Sequence, residues 1–206
     1  MAVYDSGSTG LIITDPYNDF MSEGGKLWPR LKDVAESVHL HEHMREIVVA
    51  ARAAGITVLY SRHRRWRPGD YENWRNATPY LQRAAKLQLF AADSWGGQWH
   101  PDFEPEPGDV LLHEHWAQSG FANTDLDVQL TQRGLDRIIL IGLLANTCVE
   151  STARFGMEHG YHVTLVRDAT AAYTAEAMHA AHEINGPTCA NEITDTASLV
   201  RVLAGP

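Results

Sequence analysis

Cysteine is scarce in this chain, with only Cys148 and Cys189 among 206 residues. Two cysteines cannot build a disulfide framework, so the sequence predicts a protein of the reducing cytosol. No apolar run approaches the roughly 20 residues that a membrane-spanning helix needs. The first residues also lack the basic and then apolar pattern of a signal peptide. From these absences we expect a protein that is not exported and that has no membrane partner.

Basic residues are also few, since 17 lysines and arginines face 26 aspartates and glutamates, for a formal net charge of −9. That charge disfavours binding to nucleic acid or to anionic lipid, so we expect neither as a partner. The exception is the run RHRRWR at residues 62–67. Its arginines are compatible with a solvated patch, and Arg62, Arg64 or Arg67 is also a candidate receptor for a substrate carboxylate.

Short apolar runs alternate with helical patterns along the chain. Strands are predicted at 10–15, 56–61, 109–114, 137–143, 161–168 and 191–194, and helices at 31–54, 124–134, 147–159, 175–184 and 197–203. The alternation predicts one α/β domain over residues 1–206, with a mostly parallel sheet covered by helices on both faces. Residues 62–108 do not follow the alternation, and we interpret them as an irregular active-site flap.

Three reactive side chains follow predicted strands. Asp15 ends the first strand, His115 follows the third, and Cys148 stands between the fourth strand and a helix. Ligands of open α/β sheets bind beyond the carboxyl ends of the strands, so we expect these side chains to lie together. A helix N-terminus favours a thiolate and offers free N–H groups to an oxyanion. The pattern predicts an ionised or nearly ionised nucleophile at Cys148, with a buried structural cysteine as the alternative.

Four segments, in order, resemble the motifs of the isochorismatase-like cysteine hydrolases. They are DPYNDF at 15–20, WGGQWHPDFEPEPGD at 95–109, SGFANTDLD at 119–127 and GLLANTCVESTARFGMEHGYHVTLVRDA at 142–169. The resemblance covers roughly residues 11–203. It implies a six-stranded parallel sheet, an Asp–Lys–Cys triad that usually attacks an amide, and a homo-oligomer, commonly a dimer or tetramer.

The resemblance also assigns roles to individual residues. Cys148 is implied to be the nucleophile and Asp15 the base that accepts its proton. The family lysine lies six residues before the phenylalanine of the third motif, which here places His115 in the triad. A non-proline cis peptide of the family is implied at Leu143–Leu144, where it would turn N–H groups toward the oxyanion, together with that of Cys148.

Substrate-contacting residues are predicted from their type and position alone. The candidates are Phe20, Trp66, Trp95, Trp116, Phe121 and Asn146. The aromatic residues among them are equally compatible with core packing.

We predict no cofactor and no metal ion. The nicotinamidase branch holds zinc through an aspartate and two histidines after the second strand, where this chain offers only His63 in a comparable place. A metal near His63, His113 or His115 is left open, because two histidines and a carboxylate are zinc ligand types.

The sequence therefore predicts a cysteine hydrolase that cleaves an amide, carbamoyl or lactam C–N bond of a small molecule through a thioester. One alternative is an isochorismatase-type vinyl-ether hydrolase, which can work by acid catalysis from the aspartate without a cysteine. A second alternative is a catalytically inactive interaction domain.

Overall fold

The computed structural model describes residues 4–205, and its centre is a sheet of six strands. The strands are β1 Thr9–Thr14, β2 Thr57–Ser61, β3 Val110–Leu111, β4 Arg137–Leu143, β5 His162–Ala171 and β6 Glu192–Thr194. Their order across the sheet is β3-β2-β1-β4-β5-β6, and every pairing is parallel. The predicted parallel six-stranded α/β fold is confirmed.

Helices cover both faces of this sheet. They are α1 Asn18–Met21, α2 Trp28–Ser37, α3 Leu40–Ala53, α4 Pro79–Lys86, α5 Leu126–Thr131, α6 Glu150–Glu158, α7 Ala175–His179 and α8 Thr196–Leu203. Residues alternate along β1, so Leu11 and Ile13 pack with α2, α3 and α8 on one face, whereas Ile12 packs with α5 and α6 on the other. Within residues 4–205 no helix is both long and apolar enough to cross a membrane.

Three predicted elements differ from the structure. The single helix expected at 31–54 is two helices, because His39 adopts a left-handed φ of 50° between α2 and α3. The third strand, expected at 109–114, pairs only at Val110 and Leu111. The segment 62–108 is less irregular than expected, since Thr78 caps α4 through its side chain and Pro79 occupies the first helical turn.

The DPYNDF motif anchors this flap to the sheet. The Asn18 N–H donates to the Gln98 carbonyl, and its side-chain amide donates to the Trp95 carbonyl, each at 3.0 Å. The buried carboxylate of Asp19 accepts the Phe90 N–H at 2.7 Å. The motif therefore supplies a base candidate in Asp15 and also fixes the chain that lies over it.

Candidate active site

The site lies between the two central strands, from which successive strands are added toward opposite edges of the sheet. β1 and β4 are neighbours at the middle of the sheet, and the chain leaves them toward opposite edges. Such a switch point opens a crevice at the carboxyl ends of the two strands. Asp15 follows β1 directly, and Cys148 lies five residues after β4. A carboxylate oxygen of Asp15, a ring nitrogen of His115 and the Cys148 sulfur all lie within 4.8 Å of one another.

Asp15 is held rigidly by its backbone and by one of its two oxygens. Its φ of 54° is left-handed, a conformation that aspartate tolerates better than most residues. Its Oδ1 accepts the His63 N–H at 2.6 Å and the His115 Nε2–H at 3.0 Å. Its Oδ2 is buried and has no hydrogen-bond partner within residues 4–205. That second oxygen is available to receive a proton.

His115 is positioned by one isolated β-bridge between the segments that follow β2 and β3. An isolated parallel bridge joins His63 to His115, with the His115 N–H donating to the Arg62 carbonyl at 2.7 Å. A carboxylate only accepts hydrogen bonds, so Nε2 of His115 must carry a hydrogen toward Asp15. His113 points elsewhere, with 77% of its side chain exposed beside Asp125.

His63 is a second imidazole at the site, beside His115. Its ring is buried, with its centroid 5.2 Å from that of His115 and Nδ1 3.0 Å from the Arg64 carbonyl. Burial, and then the nearby His115, lower the pKa of His63. His63 is therefore a neutral neighbour that shields the pair of Asp15 and His115 from water.

Cys148 lies in a π-helical turn, Ala145–Val149, that leads into α6, and its side chain is wholly buried. Burial, followed by the charge of Asp15, raises the pKa of the Cys148 thiol well above its usual range. The Thr147 hydroxyl and the Leu144 N–H act in the opposite direction with smaller effect. The prediction of an ionised sulfur is wrong for the free protein, because desolvation and a neighbouring anion outweigh the helix terminus.

The backbone before Cys148 has an unusual course. The peptide bond between Leu143 and Leu144 is cis, at the position to which the family resemblance assigned such a bond. Gly142 has a φ of 105°, and a Cβ there would overlap the backbone of Thr14. Only glycine therefore lets β4 end this close to β1. The Leu144 N–H is near the sulfur and lowers its pKa.

Two cavities share Tyr80 as a lining residue. One has a volume of about 450 Å³ and is walled by uncharged side chains, among them Trp74 and Trp116. The other measures about 310 Å³ and includes Tyr173. Burial is the main cause that raises the pKa of Tyr80, and likewise that of Tyr173 to about 12. Cys148 itself is wholly buried and lines neither cavity.

Residues 9–198 match the family model described as the Isochorismatase domain. The chain belongs to the isochorismatase family. It is 34% identical to a ureidoacrylate amidohydrolase, RutB, of Methylobacterium radiotolerans, an alignment that covers 98% of this chain and 82% of that protein. It is 33% identical to the RutB of Caulobacter vibrioides over 81% of this chain and 78% of that one.

Solved structures of the isochorismatase family share the fold. A cysteine hydrolase of Pseudomonas syringae pv. phaseolicola superposes with a TM-score of 0.84 at 25% identity, covering 99% of this chain and 96% of that one. An N-carbamoylsarcosine amidase of Thermoplasma acidophilum gives 0.70 at 26% identity, covering 92% and 96%. These relatives confirm the prediction of an isochorismatase-like hydrolase of C–N bonds.

The substrate-contacting residues predicted for this family member are dispersed in the structure. Trp116 lines the larger cavity, Asn146 is exposed near Cys148, and Trp95 is half exposed on the flap. Phe20 and Phe121, by contrast, lie in the two hydrophobic cores rather than on a cavity wall. Four cavity residues were missed because they lie outside every motif, namely Arg30, Tyr80, Arg83 and Tyr173.

Three further candidates, one tryptophan and two arginines, make contacts within the protein. Trp66 is partly buried, and its backbone carbonyl accepts the Ala92 N–H at 3.0 Å. Arg64 pairs with Asp70, and the Nε of Arg62 donates to the Leu112 carbonyl. Because these groups of Arg62 and Arg64 already bind within the protein, the hypothesis that the two arginines receive a substrate carboxylate is not favoured.

Asp15, His115 and Cys148 also offer ligand types that metal ions prefer in proteins. A carboxylate oxygen, an imidazole nitrogen and a thiol sulfur are all zinc ligands, and those of Asp15, His115 and Cys148 come within 4.8 Å of one another. If this chain holds a metal ion, these three atoms are the place for it. The hydrolysis proposed below requires only their acid–base and nucleophilic properties.

Proposed function

We propose that this chain hydrolyses the C–N bond of a carbamoyl or ureido group in a small molecule, with Cys148 as nucleophile and Asp15 as base. The observation that carries the proposal is the arrangement of Asp15, whose Oδ1 is held by two donors while its Oδ2 is left without a partner near the sulfur. The names of the relatives, a ureidoacrylate amidohydrolase and an N-carbamoylsarcosine amidase, support the same bond type.

In the first half-reaction one proton moves from Cys148 to Asp15 and then from Asp15 to the departing nitrogen. As the substrate carbonyl reaches Cys148, the thiol proton moves to Asp15 and the sulfur attacks the carbonyl carbon. The oxyanion accepts hydrogen bonds from the N–H groups of Leu144 and Cys148. Asp15 then returns the proton to the departing nitrogen, the C–N bond breaks, and the acyl group stays on sulfur as a thioester.

The second half-reaction releases the enzyme. Water donates a proton to Asp15 and attacks the thioester carbonyl, and the C–S bond breaks. The sulfur takes the proton back from Asp15, which restores the protonated thiol of the free protein. A carbamoyl group leaves as carbamate, which decomposes to carbon dioxide and an amine or ammonia.

The direct test is a survey of amides, ureas and lactams, scored by intact mass and by amine or ammonia release. We expect at least one carbamoyl or ureido compound to add one acyl group to the protein, with the mass increase mapped to Cys148. A survey in which no compound is turned over and none modifies Cys148 would contradict the proposal.

His115 is proposed as a positioning residue that donates from Nε2 to Asp15, in the place of the family lysine. We expect His115→Ala to lower kcat/KM about 100-fold, because the carboxylate loses its donor. His115→Lys should recover most of that loss, since lysine also donates, and a purely structural role would not give such a rescue. His113→Ala, at an exposed position, is the matched control. A wild-type rate for His115→Ala would remove His115 from the mechanism.

The remaining properties are proposed from composition and family. Net charge and the low cysteine content support action in the cytosol on a small molecule rather than on nucleic acid or a membrane. Family resemblance supports a dimer or tetramer, which light scattering on the purified protein measures directly.

A further inference from the structure

The smaller of the two cavities that Tyr80 lines, about 310 Å³, differs from the larger one in charge. Its walls carry the side chains of Arg30 and Arg83 and no acidic residue. The larger cavity has no charged side chain in its lining. We call the smaller one the arginine cavity.

The two arginines reach this cavity from separate elements. Arg30 lies near the start of α2 and its guanidinium carbon stands 4.1 Å above the centre of the Tyr173 ring, which fixes its position. Arg83 lies near the end of α4. Both arginine residues are exposed to solvent, and two guanidinium groups at one small cavity suit a carboxylate.

Neither arginine is neutralised by the protein. Within residues 4–205 no carboxylate lies at ion-pair distance from Arg30 or Arg83, although Arg45, Arg52, Arg64, Arg65, Arg154 and Arg167 all have such partners. The positive charge of the cavity is therefore available to a ligand.

The cavity lies at the same end of the sheet as the reaction centre. Tyr173 is one of its lining residues and follows β5, whose last residue, Ala171, pairs with Leu143 of β4. Cys148 lies five residues after β4. Tyr80 lines this cavity and also the larger one. A small molecule whose carbonyl reaches Cys148 can therefore direct its other end toward the guanidinium groups.

We propose that Arg30 and Arg83 bind a carboxylate of the substrate, so that this chain selects ureido or carbamoyl acids over neutral ureas. The inference rests on the proposed function and adds the substrate class and the residues that choose it. The carbonyl end reacts at Cys148, and the carboxylate end occupies the arginine cavity.

The test compares 3-ureidopropionate with propylurea, which has a methyl group in place of the carboxylate. We expect Arg30→Gln or Arg83→Gln to lower kcat/KM for 3-ureidopropionate about tenfold or more, mainly through KM, since a hydrogen bond to a charged group is lost. The slower hydrolysis of propylurea should stay unchanged. Arg133→Gln, whose guanidinium binds Gln129 on α5, is the control and should alter neither substrate.

The outcomes separate this inference from the proposed function. Equal wild-type rates on the two ureas, or arginine variants that leave 3-ureidopropionate unaffected, would overturn the carboxylate subsite while the hydrolase stands. Should the wild type release ammonia from neither urea, calorimetric binding of 3-ureidopropionate to Cys148→Ala, with and without Arg30→Gln, decides the subsite independently. Absence of binding, or binding that does not depend on Arg30, would overturn it.

Discussion

Cys148→Ala is expected to lower kcat/KM by more than about a thousandfold on any carbamoyl or ureido substrate, because the covalent route is lost with its nucleophile. Ammonia release measures the rate, and intact mass should show no acyl adduct on the variant. The matched control is Cys189→Ala. Cys189 is also buried, but it packs with the core on the α5 and α6 face and its sulfur lies 3.7 Å from the Asn185 carbonyl. That variant should keep both the rate and the adduct.

The same variant distinguishes the rival functions. A vinyl-ether hydrolase of the isochorismatase type that uses acid catalysis from Asp15 alone would retain full activity in Cys148→Ala. An inactive interaction domain would yield no adduct even in the wild type. Only a cysteine hydrolase gives an adduct in the wild type and loses it, together with turnover, in the variant.

Asp15→Asn is expected to lower both the reaction rate and the pKa of the Cys148 thiol. The rate should fall more than about a thousandfold, because no base remains for the thiol proton. The pKa of Cys148 should nevertheless fall, since the Asp15 charge is one of the causes that raise it. The variant therefore holds more thiolate at a given pH and still reacts slowly. Ultraviolet absorbance of the thiolate, followed over pH, measures the pKa in both proteins.

Asparagine suits this test because it should disturb the fold little. It tolerates the left-handed backbone of residue 15, and its side-chain oxygen can still accept from His63 and His115. An Asp15→Asn variant with a wild-type rate, or with an unchanged thiol pKa, would contradict the role given to this carboxylate.

The sheet was largely predictable because buried parallel strands are short, apolar and β-branched. β4 was predicted with its observed limits, Arg137–Leu143. The helix break at His39 was not predictable from periodicity, because the apolar residues on both sides of it belong to the same core. α4 was missed although Thr78 and Pro79 form an ordinary helix start, since residues 62–108 were treated as one irregular segment.

The residues of the site were predictable only where a reactive side chain follows a strand in the sequence. Asp15 and Cys148 follow central strands, and counting back from Phe121 placed His115 beside them. The prediction of an ionised Cys148 was wrong, because the burial that raises the pKa of its thiol depends on the packing of segments that are remote in the sequence. For the same reason nothing in the local sequence pointed to Tyr80, which reaches the site from a helix outside every motif.

The shared wall at Tyr80 has a consequence for the evolution of substrate range. Because one phenol divides an uncharged cavity from a cationic one, a smaller residue there would fuse them into a single chamber. Long or branched ureas could then enter without any change to the reacting groups.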